Sequence, residues 1–144
     1  MINDNIEIAQ KAGADGVHVG QDDMPVEEVR KILGEDKIIG VSAHNVEEAV
    51  RAEQGGANYL GVGAVHTTAT KENTSAVSME EMKKICQTVS IPVVAIGGIK
   101  KNNMNVLSGT GVDGIAVVSA IFAAKNIKEE TKELLEAVKE MKAE

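Results

Sequence analysis

A loop rich in hydroxyl groups follows one of the apolar runs of this sequence. It consists of Gly63-Ala64-Val65-His66-Thr67-Thr68-Ala69-Thr70-Lys71. Threonine hydroxyls donate hydrogen bonds and lysine supplies a mobile positive charge, and both suit phosphate oxygens. With three threonine hydroxyls and Lys71, the segment therefore indicates a phosphate site, although a threonine-rich surface loop with a solvated lysine has the same composition.

Two further segments have features that suit a phosphate group. Gly97-Gly98 follows an apolar run, where glycine lets backbone N–H groups approach a ligand, although a tight turn alone has the same sequence. Ser119 ends the last run and begins a predicted short helix, whose N–H groups would face an anion. If the last run is the eighth strand of a barrel, Gly98 and Ser119 lie in the two loops that often bind phosphate in such barrels.

Two carboxylates are expected at the same edge of the sheet as these loops. Asp4 lies near the start of the sequence, and Asp23 lies just past the first long apolar run. Carboxylates beside a phosphate site indicate a shared Mg²⁺, because this ion takes oxygen ligands and often bridges to substrate phosphates. The alternative is that Asp22 and Asp23 only cap the helix that begins at Pro25, a role for which Asp22 is the better candidate.

The three histidines give weaker indications. His18 lies inside a predicted strand, where a satisfied lining residue is the simplest interpretation. His44 follows Ser42 at a strand end and could face a substrate, but Ser42 is the better candidate for a polar contact. No metal-ligand spacing links the histidines, and no Ser/His/Asp arrangement is visible.

Five short apolar runs must position these residues. They are rich in valine and isoleucine and do not alternate between apolar and polar residues, which is typical of parallel strands buried on both faces. The predicted strands are 16–20, 37–42, 59–63, 93–97 and 114–119. Repeated strand–helix units give a parallel sheet that is either doubly wound or closed.

Helical segments separate the apolar runs. Asn45 and Ser78 begin sequences of the capping-box form. The helix behind Ser78 carries one apolar stripe, and the C-terminal segment has an apolar face opposite its lysines and glutamates. The turn Gly13-Ala14-Asp15-Gly16 is repeated twice in related form, from Gly56 and from Gly111, as expected where a helix ends and a strand begins.

Composition excludes several classes of protein. The net charge is −7 and aromatic residues make up only 1% of the 144 residues, which argues against nucleic acid as a partner. Cys86 is the single cysteine, as suits a reducing compartment. We find no signal-peptide pattern and no apolar stretch long enough to span a bilayer, so a cytoplasmic location without membrane contact is expected.

Six segments together resemble the thiamine-phosphate synthase (thiamine-phosphate pyrophosphorylase) family. The resemblance runs the whole length of the sequence, and its most specific elements are Asn-Asp, Gly-Gln-Asp-Asp and Thr-x-Thr-Lys in this order. The segments are Ile2-Asn3-Asp4, Gly16-Val17-His18-Val19-Gly20-Gln21-Asp22-Asp23, Gly40-Val41-Ser42-Ala43-His44-Asn45, Thr68-Ala69-Thr70-Lys71, Ala95-Ile96-Gly97-Gly98-Ile99 and Val117-Val118-Ser119-Ala120-Ile121.

The resemblance implies a reaction and a set of site residues. The family joins a pyrimidine diphosphate to a thiazole phosphate, and diphosphate leaves with the help of Mg²⁺. Lys71 and Ser42 are implied as the catalytic groups. The implied metal ligands are Asp4 and Asp23, the implied contacts to the pyrimidine diphosphate are Asn3, Ser42 and Lys71, and those to the thiazole phosphate are Thr68, Thr70, Gly98, Val118 and Ser119.

The resemblance also implies an incomplete parallel (β/α) barrel of the TIM type. The sequence would form a single domain over residues 1–144, covering the end of strand 3 and about strands 4–8, the C-terminal two thirds of an eight-stranded barrel. Family members have roughly another third of chain upstream, with a Gln-x-Arg…Lys group that clamps the diphosphate. We therefore expect little coupling activity from the 144 residues alone, and a homo-oligomer that covers the open edge.

The sequence departs from the family pattern in one loop, and two alternative functions stay open. The family usually has proline and an aromatic residue before the threonine pair, whereas Ala64, Val65 and His66 occupy these positions. One alternative is a thiazole tautomerase-type protein on the same barrel, which would bind the thiazole phosphate without coupling it. The other is a non-catalytic partial barrel that binds phosphate.

Overall fold

Six parallel strands alternate with helices in the computed structural model, which describes residues 1–66 and 76–143. The strands are β1 (Ile2–Asn3), β2 (Gly16–Val19), β3 (Ile38–Ala43), β4 (Tyr59–Val62), β5 (Val93–Ile96) and β6 (Gly114–Ala116). The helices are α1 (Ile6–Lys11), α2 (Val26–Leu33), α3 (Val46–Gln54), α4 (Met79–Thr88), α5 (Ser119–Phe122) and α6 (Ile127–Ala143), with a 3₁₀ turn at Met104–Leu107. The predicted α/β class with a parallel sheet is confirmed.

The strands lie in the sheet in chain order, from β1 to β6. Every neighbouring pair is parallel. A doubly wound sheet reverses its strand order at a switch point, and no reversal occurs among the described strands. The order is therefore that of a singly wound sheet, as a strand–helix barrel requires.

The two faces of this sheet differ in burial and composition. One face packs against the helices and is apolar. Its fully buried residues include Val17, Ile39, Leu60 and Val62. The other face carries small and polar residues, and His18 there is only half-buried. The prediction that the strands are buried on both faces is therefore met only in part among the described residues, since Gly40 and Gly61 of the second face are buried whereas His18 is not fully so.

Three glycines occupy the turns that the repeat predicts; Gly13 and Gly56 directly follow the C-cap of a helix, whereas Gly111 lies beyond the 3₁₀ turn. Gly13, Gly56 and Gly111 have φ angles of 61°, 101° and 94°, a left-handed conformation that glycine adopts without strain. In two of the turns a side chain then binds the neighbouring strand: Asn58 Oδ1 accepts from Ile39 N, and Asp113 Oδ2 accepts from Val93 N. The repeat therefore sets the register at the amino ends of the strands.

The helix starts confirm one prediction and correct another. Asn45 Oδ1 accepts from Glu48 N and Ser78 Oγ accepts from Glu81 N, so both predicted caps are present. Pro25, however, lies one residue before α2 instead of at its first position. Because Pro25 follows Asp22 and Asp23, these carboxylates are too early in the chain to be the N-cap.

Helices α4 and α6 bury the faces that their sequences predict. Met82 and Ile85 of α4 are fully buried, and Leu134 and Met141 of α6 are almost so. Leu135 of α6, which the sequence places on the same face, is 54% exposed. Among the described residues, no helix combines the length and apolar character that crossing a membrane requires.

Candidate active site

The predicted site residues follow successive strands at one edge of the sheet. Asp4 follows β1, Asp23 follows β2, Gly98 follows β5, and Ser42 is the next-to-last residue of β3. Because all strands are parallel, their carboxyl ends meet at the same edge, which is where strand–helix barrels carry their active sites. The predicted phosphate contacts and catalytic lysine in the loop after β4 lie outside the described residues; they are Thr68, Thr70 and Lys71.

Asp4 is held in an unusual backbone conformation at the end of β1. Its φ angle is 65°, in the left-handed region that residues other than glycine seldom adopt. Its N–H donates to the carbonyl oxygen of His18 at 2.7 Å, and its Oδ2 accepts from Asn3 Nδ2 at 2.8 Å. These contacts join Asp4, a predicted metal ligand, to strand β2 and to Asn3, a predicted contact of the diphosphate.

Asp23 folds back onto the end of β2. Its Oδ2 accepts from Gly20 N at 2.7 Å, which closes the turn and fixes the carboxylate. The neighbouring Asp22 is exposed, and within the described residues its carboxylate makes no hydrogen bond, so its predicted capping role is wrong. The contacts therefore distinguish the two adjacent aspartates: the turn holds the carboxylate of Asp23, whereas that of Asp22 is exposed.

The two predicted metal ligands suit a hard cation that also binds substrate. Asp4 and Asp23 follow adjacent strands and contribute only oxygen atoms. In the part of the chain that the structure describes, no group of three or more His, Cys, Asp or Glu side chains forms a complete metal site. Two carboxylates, with further positions for water and phosphate oxygens, are the donor set on which Mg²⁺ usually relies.

Ser42 is fixed through its backbone and its side chain. Its carbonyl oxygen accepts from Gln21 Nε2 at 2.7 Å, and its hydroxyl lies 2.9 Å from His18 Nε2. His18 Nδ1 in turn lies 2.9 Å from the Tyr59 hydroxyl. The prediction that His18 is a satisfied residue is confirmed. Gln21 and Tyr59 were not predicted to belong to the site. Their positions near Ser42 depend on how β2, β3 and β4 pair in the sheet.

The other two histidines have different surroundings. His44 binds Glu48, whose Oε2 lies 2.8 Å from both His44 N and His44 Nδ1. Glu48 thus occupies Nδ1 of the His44 ring and orients the imidazole. His66 Nε2 is buried and has no hydrogen-bond partner within the described residues.

The turn after β5 has the geometry expected of its glycine pair. Gly97 and Gly98 have φ angles of 103° and 64°. The Gly97 carbonyl accepts from His66 N at 3.0 Å, and the Gly98 carbonyl accepts from Asn103 Nδ2 at 3.0 Å. With both carbonyls engaged, the turn is held in one conformation beside the loop that follows β4.

The loop after β6 begins a helix at the predicted residue. Ser119 is the first residue of α5, and Val118 before it is 69% exposed. Phe122 at the end of α5 is 72% exposed. The helix is only four residues long, so its role in binding a phosphate remains a prediction.

Comparison with known proteins points to one family. The family model described as thiamine monophosphate synthase matches residues 1–121. A thiamine-phosphate synthase of Clostridium acetobutylicum is 55% identical over 96% of this chain and 66% of its own length. One from Ruminiclostridium cellulolyticum is 57% identical over 94% of this chain and 65% of its own length.

A solved structure supports the same relationship. The thiamine phosphate pyrophosphorylase of Pyrococcus furiosus superposes with a TM-score of 0.86 at 43% identity, over 97% of this chain and 67% of that chain. The chain therefore spans about two thirds of the length of the proteins that it matches.

Proposed function

The chain belongs to the thiamine monophosphate synthase family, and on that premise we propose that it serves the coupling of hydroxymethylpyrimidine diphosphate with thiazole phosphate. The thiazole nitrogen attacks the methylene carbon of the pyrimidine, a C–N bond forms, and the C–O bond to diphosphate breaks. The products are thiamine phosphate and diphosphate. The observation that carries this proposal is the alignment of Asp4, Asp23, Ser42, Gly98 and Ser119 along one edge of the sheet.

The diphosphate end of the site is proposed at β1–β3. Asp4 and Asp23 would hold Mg²⁺, which supplies positive charge where the leaving diphosphate accumulates negative charge. Asn3 and Ser42 would donate hydrogen bonds to the pyrimidine diphosphate. Lys71, outside the described residues, would add a second positive charge.

The thiazole-phosphate end is proposed at the loops after β4, β5 and β6. Gly98, Val118 and Ser119 would offer backbone and hydroxyl donors to the phosphate, with Thr68 and Thr70 from outside the described residues. A ring nitrogen with a free lone pair needs no general base to attack. The contribution of the protein is therefore to orient two substrates and stabilise charge, and orientation alone supplies several kcal/mol in such reactions (about 7–11 kcal/mol at best).

The architecture proposed for the whole site is an eight-stranded barrel of the TIM type. In it, β1 is the end of the third strand, β2–β6 are strands four to eight, and residues 1–144 belong to one domain. The half-buried second face of the sheet would then line the interior of the barrel. We also propose that the chain associates with itself and acts on these small molecules without nucleic acid or membrane.

The test is a coupling assay that compares the 144-residue chain with a longer chain, which also contains the part of a relative that the 144 residues do not cover. The 144-residue chain is joined to the part of the Clostridium acetobutylicum relative that it does not cover, and we call this the extended chain. Thiamine phosphate, detected by fluorescence after oxidation, should form with the extended chain and Mg²⁺. Little should form with the 144 residues alone, because they lack a Gln-x-Arg sequence to clamp diphosphate.

Two results of this assay would contradict the proposal. A folded extended chain that yields no thiamine phosphate would show that the aligned residues do not support coupling. Turnover by the 144 residues alone at the rate of the Clostridium relative would show that the proposed clamp is unnecessary.

A further inference from the structure

A hydrogen-bonded network of three side chains crosses the half-buried face of the sheet. The Tyr59 hydroxyl lies 2.9 Å from His18 Nδ1, and His18 Nε2 lies 2.9 Å from the Ser42 hydroxyl. The residues come from β4, β2 and β3, so they meet only when the sheet forms. We refer to Tyr59, His18 and Ser42 as the Tyr–His–Ser network.

Two glycines leave the space that the network occupies. The strand register places His18, Gly40 and Tyr59 in one row, so that the two rings meet above a glycine. A Cβ at Gly40 would collide with the Tyr59 ring and lie 2.5 Å from His18 Nδ1. A Cβ at Gly61, the partner of Ser42, would lie 2.9 Å from His18 Cε1. The backbone is thus shaped around the imidazole ring.

The chemistry of the two hydroxyls determines which nitrogen of His18 carries the proton. A neutral imidazole donates from one ring nitrogen and accepts at the other. A phenol is more acidic than a serine hydroxyl and is the better donor, whereas the serine oxygen is the better acceptor. Burial raises the pKa of Tyr59, so its proton is retained at neutral pH. Tyr59 therefore donates to Nδ1, and Nε2–H donates to Ser42 Oγ.

This arrangement has a consequence for Ser42. Because its oxygen accepts from His18, its own proton is directed away from the ring. Gln21 holds the Ser42 carbonyl at 2.7 Å, which fixes the backbone as well. We propose that His18, oriented by Tyr59, is a positioning residue that keeps Ser42 as a hydrogen-bond donor to an oxygen of the diphosphate group. The identity of this ligand rests on the proposed function, whereas the tautomer of His18 does not.

The first test determines the tautomer in the ligand-free protein. Long-range ¹H–¹⁵N NMR spectra of the 144-residue chain distinguish the two ring nitrogens, and His18 should carry its proton on Nε2. His44 is an internal reference, since its Nδ1 faces the Glu48 carboxylate at 2.8 Å and must donate to it. A His18 proton on Nδ1 in the unmodified protein would overturn the assignment.

The second test is a double-mutant cycle that measures the affinity of the extended chain for inorganic diphosphate with Mg²⁺. Tyr59→Phe removes only the hydroxyl of the single tyrosine, and it should weaken binding about threefold to tenfold, as expected for one hydrogen bond. In the Ser42→Ala background, Tyr59→Phe should have no further effect. Equal weakening in both backgrounds, or none in either, would refute the proposal, because Tyr59 would then not act through Ser42.

The two tests separate this inference from the proposed function. If the tautomer and the cycle are as expected but the extended chain forms no thiamine phosphate, the proposed function fails and the positioning role is retained. If thiamine phosphate forms while the tautomer is the opposite one, the proposed function is supported and the positioning role is wrong.

Discussion

Adjacent aspartates at the carboxyl end of β2 have different surroundings. Asp23 is half-buried and accepts a hydrogen bond from Gly20 N at 2.7 Å, while Asp22 is exposed. The sequence offered both as caps of the following helix, and Asp23 also as a metal ligand. The structure distinguishes them because the turn fixes only one carboxylate, so the pair provides a matched test of the metal site.

We predict that Asp23→Asn in the extended chain raises the Mg²⁺ concentration needed for half-maximal coupling by at least roughly tenfold, since changes even in groups that only support a metal ligand cost 10–100-fold. Asparagine retains the oxygen that Gly20 N contacts, so the turn should persist. Asp22→Asn removes the same charge from the next residue and should leave the Mg²⁺ dependence unchanged. Similar Mg²⁺ titrations for both variants would argue against Asp23 as a ligand.

Individual site residues could be predicted unevenly from the sequence. Asp4, Asp23 and Gly98 were predicted at the strand ends, because parallel strands bring their carboxyl ends together whatever the register. The Tyr–His–Ser network was not predicted, since it depends on which residues of three strands are paired and on the absence of a side chain at Gly40. Register is a property of the assembled sheet.

Helices α3 and α4 are joined by a cap that crosses between them. Ser78 caps α4 by accepting from Glu81 N, but the Glu81 carboxylate does not return to Ser78 as a capping box requires. Its Oε1 instead accepts from Val46 N, the first residue of α3, at 2.9 Å. Removing this carboxylate leaves a half-buried N–H without its partner.

We expect Glu81→Ala to lower the free energy of unfolding by about 1–2 kcal/mol, the usual cost of losing a cap or leaving a backbone donor unpaired. Glu80→Ala is the control, because Glu80 lies in the same first turn of α4 and pairs with the exposed Lys84 on the helix surface. Its effect should be much smaller. Urea denaturation of both variants measures the difference, and equal destabilisation would show that the contact with α3 is unimportant.

A second connection, between α3 and the start of β5, should depend on pH. Glu53 Oε1 accepts from Ser90 Oγ and Ser90 N, both at 2.7 Å, and these bonds lower the pKa of Glu53 from its ordinary 4.5. A lowered pKa in the folded state means that the contribution to stability is complete above pH 4.5 and is lost as the pH falls through the lower folded value.

Glu53→Gln should therefore destabilise the protein most at neutral pH. The difference in melting temperature between the variant and the unmodified chain should shrink as the pH falls below about 4.5, because protonation of Glu53 then weakens the same contact. Thermal unfolding followed by circular dichroism over this range measures the difference. A difference that is the same at every pH would contradict the role of the charge.

Element positions were predicted more reliably than burial. The five apolar runs all became strands, because short runs rich in valine and isoleucine and bounded by glycine favour parallel strands. The two-residue β1 has too few residues for a periodicity signal. Burial on both faces could not be inferred from the runs, since it depends on what covers the second face.

At the scale of the whole molecule, exposed apolar side chains lie at the β5–β6 side of the sheet. Ile96, Val118 and Phe122 are 41%, 69% and 72% exposed. Together with the edge of β6, which pairs with no further strand among the described residues, they are a surface that favours association. We predict that the 144-residue chain is not a stable monomer, and that light scattering gives a mass above 15.2 kDa.

Substitution at this surface should reduce the association. Phe122→Glu places a charge on α5 and should shift the measured mass toward the monomer. Ile8→Glu is the control, since Ile8 is 51% exposed on α1 at the opposite end of the sheet order. A monomer in the unmodified chain, or an equal shift in both variants, would contradict the assignment of the β5–β6 side as the contact.

The central claim is that the carboxyl edge of this sheet binds the thiazole phosphate, and calorimetric titration of that ligand into the 144-residue chain tests it most directly. We predict binding at one site per chain that Gly98→Ala weakens at least about tenfold, because we propose that the glycine turn contacts the phosphate. Gly109→Ala is the control matched in backbone conformation, since its φ of 69° is close to the 64° of Gly98. No binding, or equal weakening by both substitutions, would contradict the account.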